Sequence, residues 1–278
     1  MKYIILLLAF AAVTWGFVDE DGWDSSIPSG SMPQGTDVIS LSYVNAFQVP
    51  AALQILGLDH QNSISYLGLM DNESDSIRGV VDDTGSQIWT LDTPCANIFG
   101  LAHNWPVSYD WYVNSWTDTN IYLSGPWAVS FPNPAGTLGR GMDYNNDTDM
   151  LWETYSSSGV WRIDVSGSGT FYSTPEVPGQ ISGLAVFPFH GNLGVALCFY
   201  STPGWLFYEF DGSNLTYYGS ADLGLGSFDG SRGLTYNAGS DTFFYSYIVY
   251  GTLRWIMEVS WMETSLEQNT WGAIKTSF

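Results

Sequence analysis

Five times along the chain a glycine is followed directly by a large apolar residue near the start of an apolar run: Gly57-Leu58, Gly100-Leu101, Gly141-Met142, Gly183-Leu184 and Gly233-Leu234. The intervals between these glycines are 43, 41, 42 and 50 residues, and 45 residues follow Gly233. A period of about 40–45 residues in a chain of short apolar runs is the length of one four-stranded propeller blade. Each interval divides the same way. In the third copy "GRGMDYN", "DMLWETY", "VWRIDVS" and "GTFYSTP" read as four strands, rich in aromatic and β-branched residues and separated by polar turn residues. Helical spacing is not sustained anywhere after the first residues.

The repeat sets the expected bounds. A β-propeller over residues 37–278 divides into blades at approximately 50–94, 95–135, 136–178, 179–226 and 227–278. Every copy holds four runs of its own, with "NTWGAIKTSF" as the fourth of the last copy. The segment "DVISLSYVNAFQV" (37–49) is then left over, and is expected to add an outer strand to the last blade. The glycine has a steric reason: innermost strands crowd the axis, where a side chain on the tighter face would meet the neighbouring sheet. A second regularity fixes the register. Arg78, Arg162 and Arg254 each fall 21 residues after their copy's glycine, and an acidic residue follows each at Asp83, Asp164 and Glu258.

Hydrophobic residues make up 45% of the 278, enough to build a sizeable core. The charge is lopsided, 28 acidic against 7 basic for a net −21, which repels nucleic acid and anionic lipid surfaces. "MKYIILLLAFAAVTWG" (1–16) carries one lysine, an apolar run and small residues, the pattern of a secretory signal. Its apolar run is shorter than the roughly 20 residues a membrane span needs. Residues 17–36, acidic and rich in Gly, Pro and Ser, read as a disordered leader. The mature chain is expected to be a monomer without a membrane span, secreted or periplasmic. Cys95 and Cys198 fall in non-adjacent copies, beyond the roughly 7 Å that a disulfide can bridge, so two isolated, mostly buried thiols are expected.

The copies share the pattern G-L-x-Y/W-[DN]…LW…IY-x-[IV]-D…G, best preserved in "GMDYNNDTDMLWETYSSSGVWRIDV". It resembles the repeat of secreted bacterial five-bladed β-propellers akin to the NHL and SMP-30-like propellers. The resemblance covers residues 45–278; copy two, "GLAHNWPVSYDWYVNSWTDTNIYLSG", departs from it. It implies an all-β five-bladed β-propeller with four antiparallel strands per blade. It implies little about activity, because one scaffold of this kind hosts unrelated functions.

The acidic stretch Asp143-x-Asn145-x-Asp147 has the first three spacings of a calcium loop, but Thr148 stands where the loop needs glycine and Thr154 where it needs glutamate. It reads as a polar turn between two strands. No nucleophile or metal motif is present, and no cofactor is implied.

Two groups of residues stand out as candidate ligand-binding positions. His60 and His103 share one repeat position, three after their glycine, where equivalent residues converge on the axis. Copies three to five place Tyr144, Val186 and Tyr236 there, so inter-blade packing competes with ligand or metal binding. Arg140 and Arg232 each precede their glycine, and Asp229 lies in the segment that makes the fourth interval the longest. Two cations and an acid at the mouth of the axis would suit a hydroxyl- or carboxylate-bearing ligand, with structural ion pairing as the competing reading. The aromatics Trp105, Tyr109, Trp111, Tyr112 and Trp116 fit either a sugar platform or blade packing.

Two functions from different classes follow. One is a non-catalytic binding module for a polar small molecule, glycan or protein. The other is a carbohydrate-active hydrolase or lyase at the axis, where Asp59 and Asp143 share the repeat position two after the glycine.

Overall fold

The computed structural model describes residues 26, 27, 29–33, 37–61, 65–104, 110–124, 128–222, 231–249 and 252–264. Strand β1 spans Asp37–Gln48. Four complete antiparallel sheets follow in chain order. The first holds β2 (Ile55–Gln61), β3 (Tyr66–Asp71), β4 (Ser76–Val81) and β5 (Gln87–Asp92). The second holds β6 (Ile98–Asn104), β7 (Asp110–Ser115), β8 (Asn120–Leu123) and β9 (Ala128–Pro132). The third holds β10 (Gly139–Asn145), β11 (Met150–Tyr155), β12 (Gly159–Asp164) and β13 (Gly169–Ser173). The fourth holds β14 (Ile181–Phe189), β15 (Asn192–Phe199), β16 (Trp205–Phe210) and β17 (Leu215–Ala221). The chain then forms β18 (Ser231–Asn237), β19 (Thr242–Val249) and β20 (Thr252–Thr264). First strands touch in turn, β2 to β6 to β10 to β14 to β18 and back to β2. The ring is the five-bladed, four-stranded all-β propeller that the repeat predicts.

The five glycines are what lets the ring shut. A Cβ on Gly57, Gly100, Gly141, Gly183 or Gly233 would come within 3.0 Å of the next blade's backbone: Phe99, Arg140, Gly183, Arg232 and Leu56 respectively. Each inner strand also slips register against its neighbour at this glycine. Such a bulge frees a backbone N–H from the ladder, and a buried N–H needs a partner. In three blades a side chain of the second strand supplies it. Asn114 Oδ1 accepts the Gly100 N–H at 2.6 Å while its amide donates to the Arg140 carbonyl at 2.9 Å. Ser246 Oγ accepts the Gly233 N–H at 2.7 Å and donates to the Leu56 carbonyl at 3.4 Å. Cys198 holds the same position, its Sγ 3.9 Å from the Arg232 carbonyl. In these three blades one buried side chain thus ties the bulge to the adjacent blade.

Burial falls from the axis outward. Every residue of β10 is buried, whereas β13 is almost wholly exposed. This is why the inner runs read as continuously apolar and the outer ones as alternating. Blades stack through aromatic pairs such as Trp89–Trp111, Tyr112–Tyr144, Trp152–Phe210 and Trp205–Phe243, with ring centroids 5.1 to 5.8 Å apart.

The closure of the ring differs from the sequence expectation. The fourth strand of the last blade is β1, which runs antiparallel to β20 from Val38↔Thr264 to Gln48↔Trp255. The leftover segment is therefore not an addition to a complete blade; it completes one. The run "NTWGAIKTSF" lies outside the described residues. The physical reason is an open edge: without β1 the long strand β20 would present its outer backbone groups to solvent. Burial of Ile39, Phe47 and Val49 holds β1 in place. Its first residues also pair in parallel with β17, joining the last two blades into one eight-stranded sheet. The link from β1 to β2 is pinned by buried Asp71. Its Oδ1 accepts the N–H groups of Leu53 and Gln54 at 3.0 and 2.9 Å, and its Oδ2 takes Arg78 Nε and Ser74 Oγ at 2.8 Å each. Arg78 is the first of the three arginines at the shared repeat position; Arg162 lies over the ring of Phe210, and the side chain of Arg254 is outside the described residues.

Within 17–36, Gly30 donates its N–H to the Pro178 carbonyl, Pro33 accepts from Ser220 Oγ, and Met32 packs on the apolar interface of the third and fourth blades. Residues 1–16 lie outside the described residues. Among the described residues no helix is long and apolar enough to cross a membrane. Cys95 and Cys198 are both free thiols, Cys198 buried and Cys95 partly so.

Candidate functional site

The inner strands end around one axial cavity of about 270 Å³, lined by Asp59, His60, His103, Asp143, Tyr144 and Tyr236 together with the 145–147 turn and the 186–193 hairpin. Its floor follows from the repeat. Two residues after the glycine, the side chain returns to the axial face on the strand's period of two. Asp143 there accepts the N–H of Tyr144 through Oδ1 and, across the blade boundary, the N–H of Val186 through Oδ2, each at 2.7 Å. Thr235 does the same for the boundary between the fifth and first blades, its Oγ1 accepting the His60 N–H at 3.0 Å. Asp59 receives the N–H groups of His60 and His103. Ala102 and Ala185 occupy this position in the other two blades.

The two carboxylates are only 6% and 7% exposed. Burial, and then the nearby charge of Asp143, hold the Asp59 carboxyl well above the ordinary aspartate value, against the pull of the two N–H groups. Burial pushes Asp143 up to about 7, opposed by the N–H groups of Val186 and Tyr144. At neutral pH the pair therefore carries less than its full charge, as two close buried acids must. Asp59 Oδ2 is buried and has no hydrogen-bond partner among the described residues. At the cavity wall a protonated Asp59 offers a donor, and an ionised one only acceptors.

The sequence candidates separate into two ends of the ring. His60 and His103 reach the cavity wall, though each is engaged by its own surroundings. His60 Nε2 lies 3.0 Å from Asp82 Oδ2, and its ring stacks on Phe244. His103 packs on Trp111 at 4.5 Å, and burial drops it to about 4, so it is neutral at physiological pH. Arg140 and Arg232 instead sit at the opposite, starting ends of β10 and β18. Arg140 donates to the Thr137 and Gly139 carbonyls, while Arg232 donates to those of Tyr200 and Ser231 and lies over the Tyr200 ring at 4.3 Å. Both are nearly fully buried, so they serve the backbone of the blade links. Asp229 lies outside the described residues.

The acidic stretch after β10 is a turn: Asn145 Oδ1 takes the Thr148 N–H and hydroxyl, and Tyr144 donates its hydroxyl to Asp149. Among the described residues no three His, Cys, Asp or Glu side chains are grouped to hold a metal. Of the aromatic platform, Trp111 and Tyr112 are buried between blades and Trp116 packs on Phe99; Trp105 and Tyr109 are outside the described residues.

Sequence reasoning passed over a further buried acid. Glu153 on β11 is fully buried, and its Oε1 accepts the side-chain amides of Asn114 and, at 2.8 Å, Asn133. Burial pushes it up to about 7, opposed by the two amides and by Arg140. A Cβ on Gly139 would collide with that carboxylate, which accounts for the glycine beside Arg140. The available signal was a lone glutamate in "DMLWETY", a run otherwise spaced for burial.

No protein-family model matches the chain, and no curated protein matches it. Solved structures do. Glutaminyl cyclase from Myxococcus xanthus aligns at 15% identity with a TM-score of 0.60, over 82% of this chain and 98% of its own. The PQQ-bound aldose sugar dehydrogenase from Streptomyces coelicolor aligns at 13% identity and 0.55, over 84% and 100%. A nidogen/laminin complex aligns at 12% and 0.50, over 70% and 73%. At such identities the likeness shows the shared propeller fold and nothing further.

Proposed function

We propose that this chain is an exported, non-catalytic binding propeller whose ligand, a small polar molecule, sits in the axial cavity over Asp59 and Asp143. The observation that carries the reading is the unpartnered, buried Oδ2 of Asp59 at a cavity of about 270 Å³. A buried polar atom left unpaired costs about 1–3 kcal/mol, which a bound ligand would recover. Export rests on the basic and apolar character of residues 1–16, and kinship with the NHL and SMP-30-like propellers on the glycine-led repeat. The test is a thermal-shift screen of sugars, polyols, amines and amides against the mature protein and its Asp59→Asn variant. A compound that raises the melting temperature of the first and not of the second supports the site; a hit equally effective on both moves the ligand elsewhere.

The second reading is a carbohydrate-active hydrolase or lyase, favoured by two buried acids at one cavity, both held above the ordinary aspartate value. Binding ranks first because both oxygens of Asp143 are already committed to backbone N–H groups, so using it as a base would loosen a blade link. Incubating each hit with the protein and assaying for product separates the two. Cleavage lost in both Asp59→Asn and Asp143→Asn would establish the enzyme reading.

A further inference from the structure

The repeat supplies its own control for the axial acids. Thr235 and Asp59 hold the same position and perform the same task, accepting the N–H of the next blade's inner strand. Alanine fills that position in two other blades, so the ring does not require a carboxylate there. Two are present nonetheless, both buried, and burying such groups in ionised form is unfavourable unless an opposite charge arrives. Among the described residues no lysine or arginine lines the cavity, whereas Asp147 adds a third acid at its rim and Tyr144, Tyr236 and Phe187 give it aromatic walls. An anion is repelled by this lining. A neutral ligand leaves the acid pair uncompensated. Carboxylates with aromatic faces are the surroundings that suit an alkylammonium group, through charge-assisted hydrogen bonds and cation–π attraction.

We propose that the axial cavity takes a ligand through a primary or secondary ammonium group, held by Asp59 and Asp143 between Tyr144 and Tyr236. This rests on the cavity being the ligand site. The ammonium N–H groups donate to the unpartnered Oδ2 of Asp59, and the proton held by the acid pair leaves to solvent as the cation enters. The surrounding titratable groups are His60 with Asp82, His103 with Asp110 beside it, Asp147, Tyr144 with Asp149, and Tyr236 with Asp241. Neutral His103 adds no competing cation. Affinity for amines then rises with pH through neutrality, by up to about tenfold per pH unit for one proton released.

The experiment is titration calorimetry on the mature protein with ethanolamine and putrescine, against their neutral counterparts ethylene glycol and 1,4-butanediol. Runs at pH 6 and pH 8, in two buffers of different ionisation enthalpy, count the protons released. The expected result is at least tenfold tighter binding of the amines, stronger at pH 8, with net proton release. Asp59→Asn should weaken the amines tenfold or more and abolish the release; the wild-type pH and buffer dependence decides the matter should that variant misfold. Equal affinity for amine and diol, or no proton release, overturns the ammonium assignment. Binding of neutral sugars at the cavity with amines inert overturns it too, while leaving the ligand site standing. If Asp59→Asn changes no compound's binding, both readings fall.

Discussion

Replacing Glu153 by glutamine should make the protein more stable, and only above a definable pH. In the fold the Glu153 carboxyl titrates at about 7, against an ordinary value of 4.5. The folded chain therefore holds this proton over a range where the unfolded chain has released it. Stability falls as pH rises from about 4.5 to about 7 and is flat on either side. At 1.36 kcal/mol per pH unit, the gap corresponds to roughly 3 kcal/mol lost by pH 8. Glutamine stands in for the protonated acid: its oxygen accepts the amides of Asn114 and Asn133, and its NH₂ replaces Oε2, which has no partner among the described residues. Urea unfolding of both proteins at pH 4.5 and pH 8 should give near-equal stabilities at the lower pH. At the higher one the variant should gain roughly 3 kcal/mol, or about 6–12 °C in melting temperature. A variant destabilised by the same amount at both values would refute the reasoning, because it would mean the ionised carboxylate is matched by Arg140 and not penalised by burial.

Two further outcomes follow from the ring. Gly183→Ala places a Cβ 2.7 Å from both the Arg232 carbonyl oxygen and Cys198 Sγ, and should cost about 1–3 kcal/mol or more in denaturant unfolding; a variant as stable as the parent would contradict the steric role of this glycine. Phe47→Ala removes the largest buried anchor of β1 and should cost about 3–5 kcal/mol, with amide exchange accelerated along β1 and β20 first; uniform acceleration around the ring would contradict the closing role of β1.

The scaffold was legible because its constraint is steric and repeats. A backbone approach that forbids a Cβ leaves Gly57, Gly100, Gly141, Gly183 and Gly233 in register, and no other residue type satisfies it. Closure was not legible. β1 and the run after Glu258 both read as strands, and period and polarity do not say which of two strands takes an edge. The site was half legible: Asp59 and Asp143 could be aligned by counting from the glycine. For Arg140 and Arg232, charge near a strand end suggested a surface, whereas the guanidinium groups are buried and donate to carbonyls of the blade links. Glu153 was missed because its partners, Asn114 and Asn133, come from another blade and from a connecting segment, and sequence spacing carries no trace of them.

Because Ser42 meets Ser260 across 218 residues of sequence, the last blade lacks its fourth strand until β20 has been made. A nascent chain emerging from its N-terminus must carry the β1 segment unpaired while the other four blades assemble. Docking of that segment onto β20 is then a late event of high sequence separation, slow by the measure of loop closure and exposed to capture by another chain's open edge. The same strand that finishes the circle makes the interval before it is finished the hazardous part of this protein's life, and a chaperone or a high synthesis rate would act there.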